Sequence, residues 1–136
     1  MMWDTKKIGL WGEATALSYL EQNGFKRLQT RYCSRYGEID LIVEGNGTIL
    51  FVEVKVRRSL RYGNASESIT ITKQRKIIKT AYVFLEEYPV YESYDLRFDA
   101  ICIQIKQQVA KPILQDFSLL NYDLEWIQDA FNLDEV

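Results

Sequence analysis

The sequence predicts an α/β protein in which helices flank a mixed β-sheet, with its elements in the order α-β-β-β-α-β. Three observations support this class: an apolar stripe with helical spacing between residues 9 and 20, two β-branched segments joined by Gly45-Asn46-Gly47, and an apolar segment that follows a second helix. The 136 residues contain no internal repeat and no stretch with linker composition. We therefore expect a single domain over residues 1–136.

The first helix is predicted to begin at Asp4 or Thr5, either of which can cap it, and to end at Asn23-Gly24. The segments that follow are rich in β-branched and apolar residues and are separated by glycines, which is typical of strands and turns. The predicted strands are Phe25–Tyr32, which is the weakest, Gly37–Glu44 and Thr48–Val56.

The second half of the chain begins with another helix. Thr72 is predicted to cap this helix, which ends before Tyr88-Pro89 because a residue that precedes proline disfavours helical geometry. Leu96–Ile105 is apolar and β-branched enough for a buried strand. Beyond it we predict a short strand at Ile113–Phe117 and a terminal helix over Tyr122–Phe131.

The composition limits the chemistry. The absence of histidine excludes Ser-His and Cys-His hydrolases and imidazole zinc sites. The two cysteines, Cys33 and Cys102, are too few for a four-thiolate site. No apolar segment approaches the ~20 residues of a membrane span, so we expect a soluble cytoplasmic protein with no membrane partner. Its chemistry must then use carboxylates, lysines, tyrosines or a bound metal.

The net charge of −2 hides an asymmetry along the chain. Residues 1–80 carry 14 basic and 8 acidic side chains, a net charge of +6. Residues 81–136 carry 3 basic and 11 acidic side chains, a net charge of −8. A basic region that can meet phosphate therefore precedes an acidic one. On charge alone, two solvated faces are the preferred interpretation.

The hairpin allows a register calculation. If Asn46-Gly47 is a two-residue loop, facing residues have numbers that add up to 93, and Asp40 lies opposite Glu53 with Lys55 further along the same face. Facing carboxylates repel each other unless they share a cation, and Mg²⁺ prefers oxygen ligands. The alternative is a solvated face with an incidental ion pair. Because Glu53 and Lys55 interrupt a strongly apolar strand, the metal interpretation is favoured.

Glu13 is the only charged residue in the apolar stripe of the first helix, which also contains Gly9, Ala16, Leu17 and Leu20. It either lies at the edge of this stripe and pairs with solvent or a lysine, or it points into the same pocket as the hairpin carboxylates. The spacing supports both interpretations equally.

Four motifs occur in order along the chain: Gly9-x-x-Gly12-Glu13, Gly37-Glu38-Ile39-Asp40, Phe51-Val52-Glu53-Val54-Lys55 and Arg97-Phe98-Asp99. Together they resemble the YraN-like family of small bacterial proteins. That family is placed in the restriction-endonuclease-like superfamily, near the archaeal Holliday-junction resolvases. The segment Thr30-Arg31-Tyr32 departs from the family, whose members often carry an asparagine-containing segment there.

The resemblance implies a restriction-endonuclease-like core with an acidic site on the central hairpin. It implies that Asp40 and Glu53 are metal ligands, that Lys55 is the catalytic lysine, and that Glu13 is the helix carboxylate near the site. With the Val54 carbonyl, and with Glu13 completing the shell or holding a second ion, these residues would bind Mg²⁺ or Mn²⁺.

The leading hypothesis is therefore a metal-dependent DNA endonuclease, acting on branched or recombination-derived DNA and possessing the two-fold symmetry of a homodimer. The alternatives are a nucleic-acid-binding or partner-binding module without catalysis, and a structural protein in which Glu53 and Lys55 form surface pairs. Tyr36 and Tyr62 are candidates for stacking on bases. Five basic side chains are expected to contact DNA phosphates: Arg57, Arg58, Arg61, Lys73 and Lys76. The alternative for the two lysines is that they are only solvated, as lysines on a helix often are.

Overall fold

The computed structural model describes residues 5–58, 69–106 and 121–132. In chain order, the elements are α1 (Thr5–Gln22), β1 (Lys26–Ser34), β2 (Gly37–Gly45), β3 (Thr48–Arg57), α2 (Ile71–Glu87), a 3₁₀ turn (Pro89–Tyr91), β4 (Asp95–Ile105) and β5 (Tyr122–Phe131). This order confirms the predicted α/β class and the α-β-β-β-α-β core of a restriction-endonuclease-like fold. Neither α1 nor α2, the α-helices of the described residues, is long and apolar enough to cross a membrane.

The five strands form one mixed sheet in the order β1-β2-β3-β4-β5. β3 and β4 are parallel, and every other neighbouring pair is antiparallel. Parallel neighbours need a long crossover connection, and α2 lies within the one between β3 and β4. The sheet is therefore built around a central hairpin and one βαβ unit.

The β2–β3 hairpin has the predicted register. Its backbone pairs run from Gly45–Thr48 to Leu41–Val52. The turn residues Asn46 and Gly47 have φ angles of 53° and 78°, the left-handed geometry that a type I′ turn requires. The local turn chemistry thus fixes the faces on which the later residues of the hairpin lie.

Each face of the sheet is covered by one helix. Ala16 and Leu20 of α1 pack with Leu50 and Val52 of β3 on one face. At Gly12 the helix approaches β3 so closely that a Cβ atom would overlap the Val56 side chain. On the other face, the α2 residues Ile77, Ala81 and Phe84 pack with Ile49, Phe51 and Phe98. The sheet is thus buried on both faces, with successive β3 residues alternating between the two cores.

The N-terminus of α2 differs from the prediction by two residues. The cap is Thr70, whose Oγ1 accepts a hydrogen bond from the Lys73 backbone N–H at 3.1 Å, and Thr72 lies in the first turn. Threonine is a favourable cap at either position, so composition alone did not separate the two.

The terminal helix predicted over Tyr122–Phe131 is wrong, because this segment is strand β5, paired antiparallel with β4. Between the pairs Ala100–Ile127 and Phe98–Phe131, the β5 strand contains two extra residues, and Asp129 within them has a φ of 52°. This bulge spaces the apolar residues of β5 irregularly, so they resemble a helical stripe. The predicted strand Ile113–Phe117 lies outside the described residues.

Asp99 ties β5 to β4 at this bulge. Its side chain is fully buried and accepts four hydrogen bonds. Two come from the guanidinium of Arg97 at 2.9 and 2.8 Å, one from the Trp126 indole at 2.8 Å, and one from the Asp129 backbone N–H at 2.9 Å. The motif Arg97-Phe98-Asp99 therefore has a structural role in this chain.

Candidate metal centre

The candidate site lies where β2 and β3 cease to pair with each other. Past the pair Leu41–Val52, the Val54 backbone N–H donates to Oδ2 of Asp40 at 2.8 Å. A side-chain bond thus takes the place of a backbone bond between the two strands. This bond fixes the Asp40 carboxylate against β3.

Asp40 and Glu53 lie side by side in a poorly solvated position. Only 4% of Glu53 is exposed, and its carboxylate lies close enough to Asp40 to raise the pKa of that carboxyl. Burial, then the hydrogen bond to Glu53 and its negative charge, raise the pKa of Asp40 to about 8, although the Val54 N–H lowers it. The pair of carboxyl groups therefore holds a proton to higher pH than isolated carboxyl groups do.

Lys73, in the first turn of α2, supplies the cation nearest to Glu53. Its ammonium forms an ion pair with Oε2 of Glu53, but this oxygen has no well-aligned hydrogen bond from any described residue. Burial opposes the charge of Lys73, yet the hydrogen bond and the charge of Glu53 outweigh burial and raise the pKa of Lys73. Lys73 thus neutralises one of the two carboxylates.

Lys55 lies next to Lys73 on the same side of the sheet. Burial and then the positive charge of Lys73 lower the pKa of the Lys55 ammonium, and the charge of Glu53 only partly opposes them. Lys55 therefore releases its proton more readily than an ordinary surface lysine does.

Glu13, on α1, pairs with a cation, as one of the two interpretations of the sequence expected, but the cation is an arginine and not a lysine. It forms an ion pair with Nε of Arg31 at 2.9 Å, and its negative charge contributes to the raised pKa of Asp40. In the β1–β2 register Arg31 falls opposite Asp40, between the pairs Thr30–Leu41 and Tyr32–Ile39. Glu13 is thus near the carboxylate pair but is neutralised by an arginine.

Arg31 has a φ of 49°, a left-handed conformation that is uncommon for a residue other than glycine, asparagine or aspartate. Such strained positions concentrate at functional sites. The role of Arg31 could not be predicted from the sequence, because its place opposite Asp40 depends on the irregular β1–β2 register.

The donor set suits one hard divalent cation. The described residues contain no group of three or more acidic, cysteine or histidine side chains arranged to hold a metal ion. They do bring together the carboxylates of Asp40 and Glu53, whose proximity contributes to the raised pKa of Asp40. A divalent cation would relieve this repulsion, and Mg²⁺ commonly uses one or two carboxylates and keeps several waters. Direct ligation by Glu13 or by the Val54 carbonyl stays a prediction.

The carboxylates open into a pocket of about 340 Å³ between the hairpin and α2. Its other wall includes Lys73 and Lys76, two of the predicted phosphate contacts. Arg57, at the end of β3, has a buried Nε atom without a described hydrogen-bond partner, and Arg58 beside it is exposed. Arg61 lies outside the described residues. The acidic pair therefore faces a basic surface.

The family model described as "Uncharacterised protein family UPF0102" matches residues 12–103. This range includes Asp40, Glu53 and the residues around them on β1, β2, β3 and α2. A UPF0102 protein of Acinetobacter baylyi is 48% identical over 126 residues, covering 93% of this chain and 90% of the relative. A UPF0102 protein of Acinetobacter baumannii strain AYE is 47% identical over 129 residues, covering 95% and 97%. One of Vibrio parahaemolyticus is 36% identical over 131 residues, covering 96% and 97%. The chain belongs to the uncharacterised protein family UPF0102, the YraN-like family that its motifs resemble.

Proposed function

We propose that the protein is a metal-dependent nuclease that hydrolyses phosphodiester bonds in DNA. The observation that carries this proposal is the close pair of carboxylates, the buried Glu53 and the half-buried Asp40, in a pocket whose opposite wall includes Lys73 and Lys76. Buried acids without full hydrogen bonding are costly to a fold, so their presence in an open pocket supports a function.

Asp40 and Glu53, with the Val54 carbonyl, would hold Mg²⁺ or Mn²⁺. When bound, such an ion supplies activation of water and neutralisation of negative charge on the phosphoryl group. In this proposal Lys73 leaves Glu53 for the phosphate, because a negatively charged substrate competes with the carboxylate for the ammonium. Glu53 then becomes available to the cation.

Lys55 suits the handling of a proton in the reaction. Its lowered pKa brings its neutral form closer to working pH, which is the requirement for a group that orients or deprotonates water. In its charged form the same ammonium stabilises the negative charge that develops on the phosphate. No histidine exists in the chain to take either role.

DNA is the proposed substrate because phosphate contacts dominate the affinity for nucleic acids and the basic residues gather beside the carboxylates. Lys76 lines the pocket, and Arg58 is exposed at the end of β3. Preference for branched or recombination-derived DNA, and a homodimer that suits a two-fold junction, are narrower parts of the proposal that rest on the family resemblance.

A cleavage assay on labelled linear, flapped and four-way DNA tests the activity. We expect cleavage in Mg²⁺ or Mn²⁺ that EDTA stops, and a loss of at least about 10²-fold in Asp40→Asn. Glu21→Gln, on an exposed part of α1, is the matched control and should cleave at the wild-type rate. A protein that cleaves none of these substrates in either metal would overturn the proposal.

The second candidate is a nucleic-acid-binding module without catalysis. Its support is that the chain's own cations already neutralise two acids of the site, Glu53 through Lys73 and Glu13 through Arg31. Calorimetric titration with Mn²⁺ separates the candidates, because only the nuclease requires an ion site that is lost in Asp40→Asn and Glu53→Gln. DNA binding without Mn²⁺ uptake or turnover would favour the module.

A further inference from the structure

A second pocket lies beside the candidate metal centre and has a different composition. Its volume is about 560 Å³, which is within the range of small-molecule sites. Its lining includes the rings of Tyr36 and Tyr82, the cations of Arg35 and Lys79, and the carboxylate of Glu86. Aromatic rings combined with cations are the components of sites that bind unpaired nucleotides.

The two tyrosines differ in the surroundings of their rings. Tyr82 projects from α2 with 47% of its surface exposed, and it is among the most exposed large apolar side chains of the described residues. The guanidinium of Arg35 lies 4.8 Å from the centre of the Tyr36 ring, and the ammonium of Lys79 lies 5.4 Å from it. These cations hold the ring in place and add positive charge for a phosphate.

The wall that carries Tyr36 is fixed to α2. Oγ of Ser34 lies 2.7 Å from Oγ1 of the buried Thr80 and also accepts a hydrogen bond from the Tyr36 backbone N–H at 3.0 Å. The β1–β2 turn therefore stays against the helix with Tyr36 directed to the pocket. Such a preorganised site loses less conformational entropy when a ligand binds.

The two pockets follow one another along the same groove. Ser34 to Tyr36 line the second pocket, while the next two residues in the chain, Gly37 and Glu38, line the metal pocket. On the helix, Lys79 and Lys76 divide between the pockets in the same way, and residues three apart share a helix face. A nucleic-acid strand with a phosphate at Asp40 and Glu53 would thus pass Lys76 and reach the tyrosines.

From this geometry we infer that the Tyr36–Tyr82 pocket binds the base of an unpaired nucleotide next to the phosphodiester that the site acts on. The inference rests on the proposed nuclease function and adds a substrate class to it: duplex DNA with an adjoining single strand. Glu86 favours a base over a second phosphate at the far wall, because its carboxylate repels phosphate and accepts hydrogen bonds from an exocyclic amino group.

The test measures DNA binding by the full chain in EDTA, so it is independent of cleavage. Fluorescence anisotropy compares three ligands: a blunt duplex, the same duplex with a single-stranded tail, and that duplex with an abasic tail that keeps the phosphates. Wild-type protein should bind the tailed duplex about 5- to 150-fold more tightly than the other two, which is the range for stacking of one base.

Tyr82→Ala should remove most of this preference, and Tyr36→Leu should do the same. Tyr19→Ala is the matched control, because Tyr19 is an exposed tyrosine on α1 and packs against Trp126 away from the pocket. Equal binding of tailed and abasic-tailed DNA, or a preference that survives Tyr82→Ala, would overturn the inference. Cleavage without tail preference contradicts this inference alone, whereas tail preference without cleavage contradicts only the nuclease.

Discussion

Two buried carboxylate sites occupy the same sheet and differ in how their oxygens are satisfied. Asp99, between β4 and β5, receives four hydrogen bonds from Arg97, Trp126 and Asp129. Asp40, between β2 and β3, receives one backbone hydrogen bond and otherwise faces a second acid, Glu53. Each site contains one buried acid, Asp99 or Glu53, so burial alone does not distinguish a structural acid from a functional one.

The two sites indicate that a structural acid is better distinguished from a functional one by how many of its acceptor sites are hydrogen-bonded than by its burial. A carboxylate whose acceptor sites are filled by its own chain has no capacity left for a ligand, and its removal leaves its donors unpaired. A pair that shares a proton and opens into a pocket has capacity for a cation. The first site should therefore control stability, and the second should respond to pH and metal.

The largest expected effect is on the stability of the fold, when the structural acid Asp99 is removed. Asp99→Ala leaves the Arg97 guanidinium and the Trp126 indole without their acceptor, so we expect a loss of about 3–5 kcal/mol in the free energy of unfolding. Urea denaturation measures it. Asp123→Ala, at a largely exposed position of β5, is the control and should change stability by less than about 0.5 kcal/mol. Equal effects would show that Asp99 is not a structural anchor.

A smaller effect is expected from pH at the other site. The pKa of Asp40 is about 8 in the folded protein and 3.8 as an isolated side chain, so between these values the folded state holds a proton that the unfolded state has released. Stability contributed by this group therefore falls as pH rises from about 4 to about 8, and it does not change further above that range.

Asp40→Asn removes this dependence, because asparagine does not titrate. The variant should gain stability relative to the wild type between pH 5 and pH 8, by at least about 1.4 kcal/mol, the free energy of one pKa unit. Denaturation of both proteins at the two pH values measures the gain. A stability difference that stays constant between pH 5 and pH 8 contradicts the raised pKa of Asp40.

The smallest expected effect is on Mn²⁺ affinity, when the charges beside Asp40 and Glu53 are removed. Arg31→Asn removes a positive charge and suits the left-handed backbone, so Mn²⁺ should bind a few-fold more tightly. Glu13→Gln removes a negative charge and should weaken Mn²⁺ binding by a similar factor. Calorimetric titration measures both affinities. Changes in the same direction in both variants would exclude an electrostatic effect of these residues on the ion.

The sequence was most informative where structure depends on neighbouring residues. The Asn46-Gly47 turn set the hairpin register, and the register brought Asp40 next to Glu53. It was less informative where the structure depends on distant contacts. The bulge around Asp129 makes a strand resemble a helix, and the position of Arg31 follows from an irregular strand pairing. The Tyr36–Tyr82 pocket depends on the docking of α2 against a turn about forty residues away, which no local pattern encodes.

At the candidate site, the pairing between β2 and β3 ends although both strands continue. β2 continues to Gly37 alongside β1, and β3 continues to Arg57 alongside β4, but beyond Leu41–Val52 the two no longer pair with each other. The Asp40 carboxylate accepts a hydrogen bond from the Val54 N–H and so connects β2 to β3 beyond their last backbone pair. One oxygen atom thus serves both the architecture and the chemistry, so a ligand that draws Asp40 away from Val54 would also loosen the sheet at its centre.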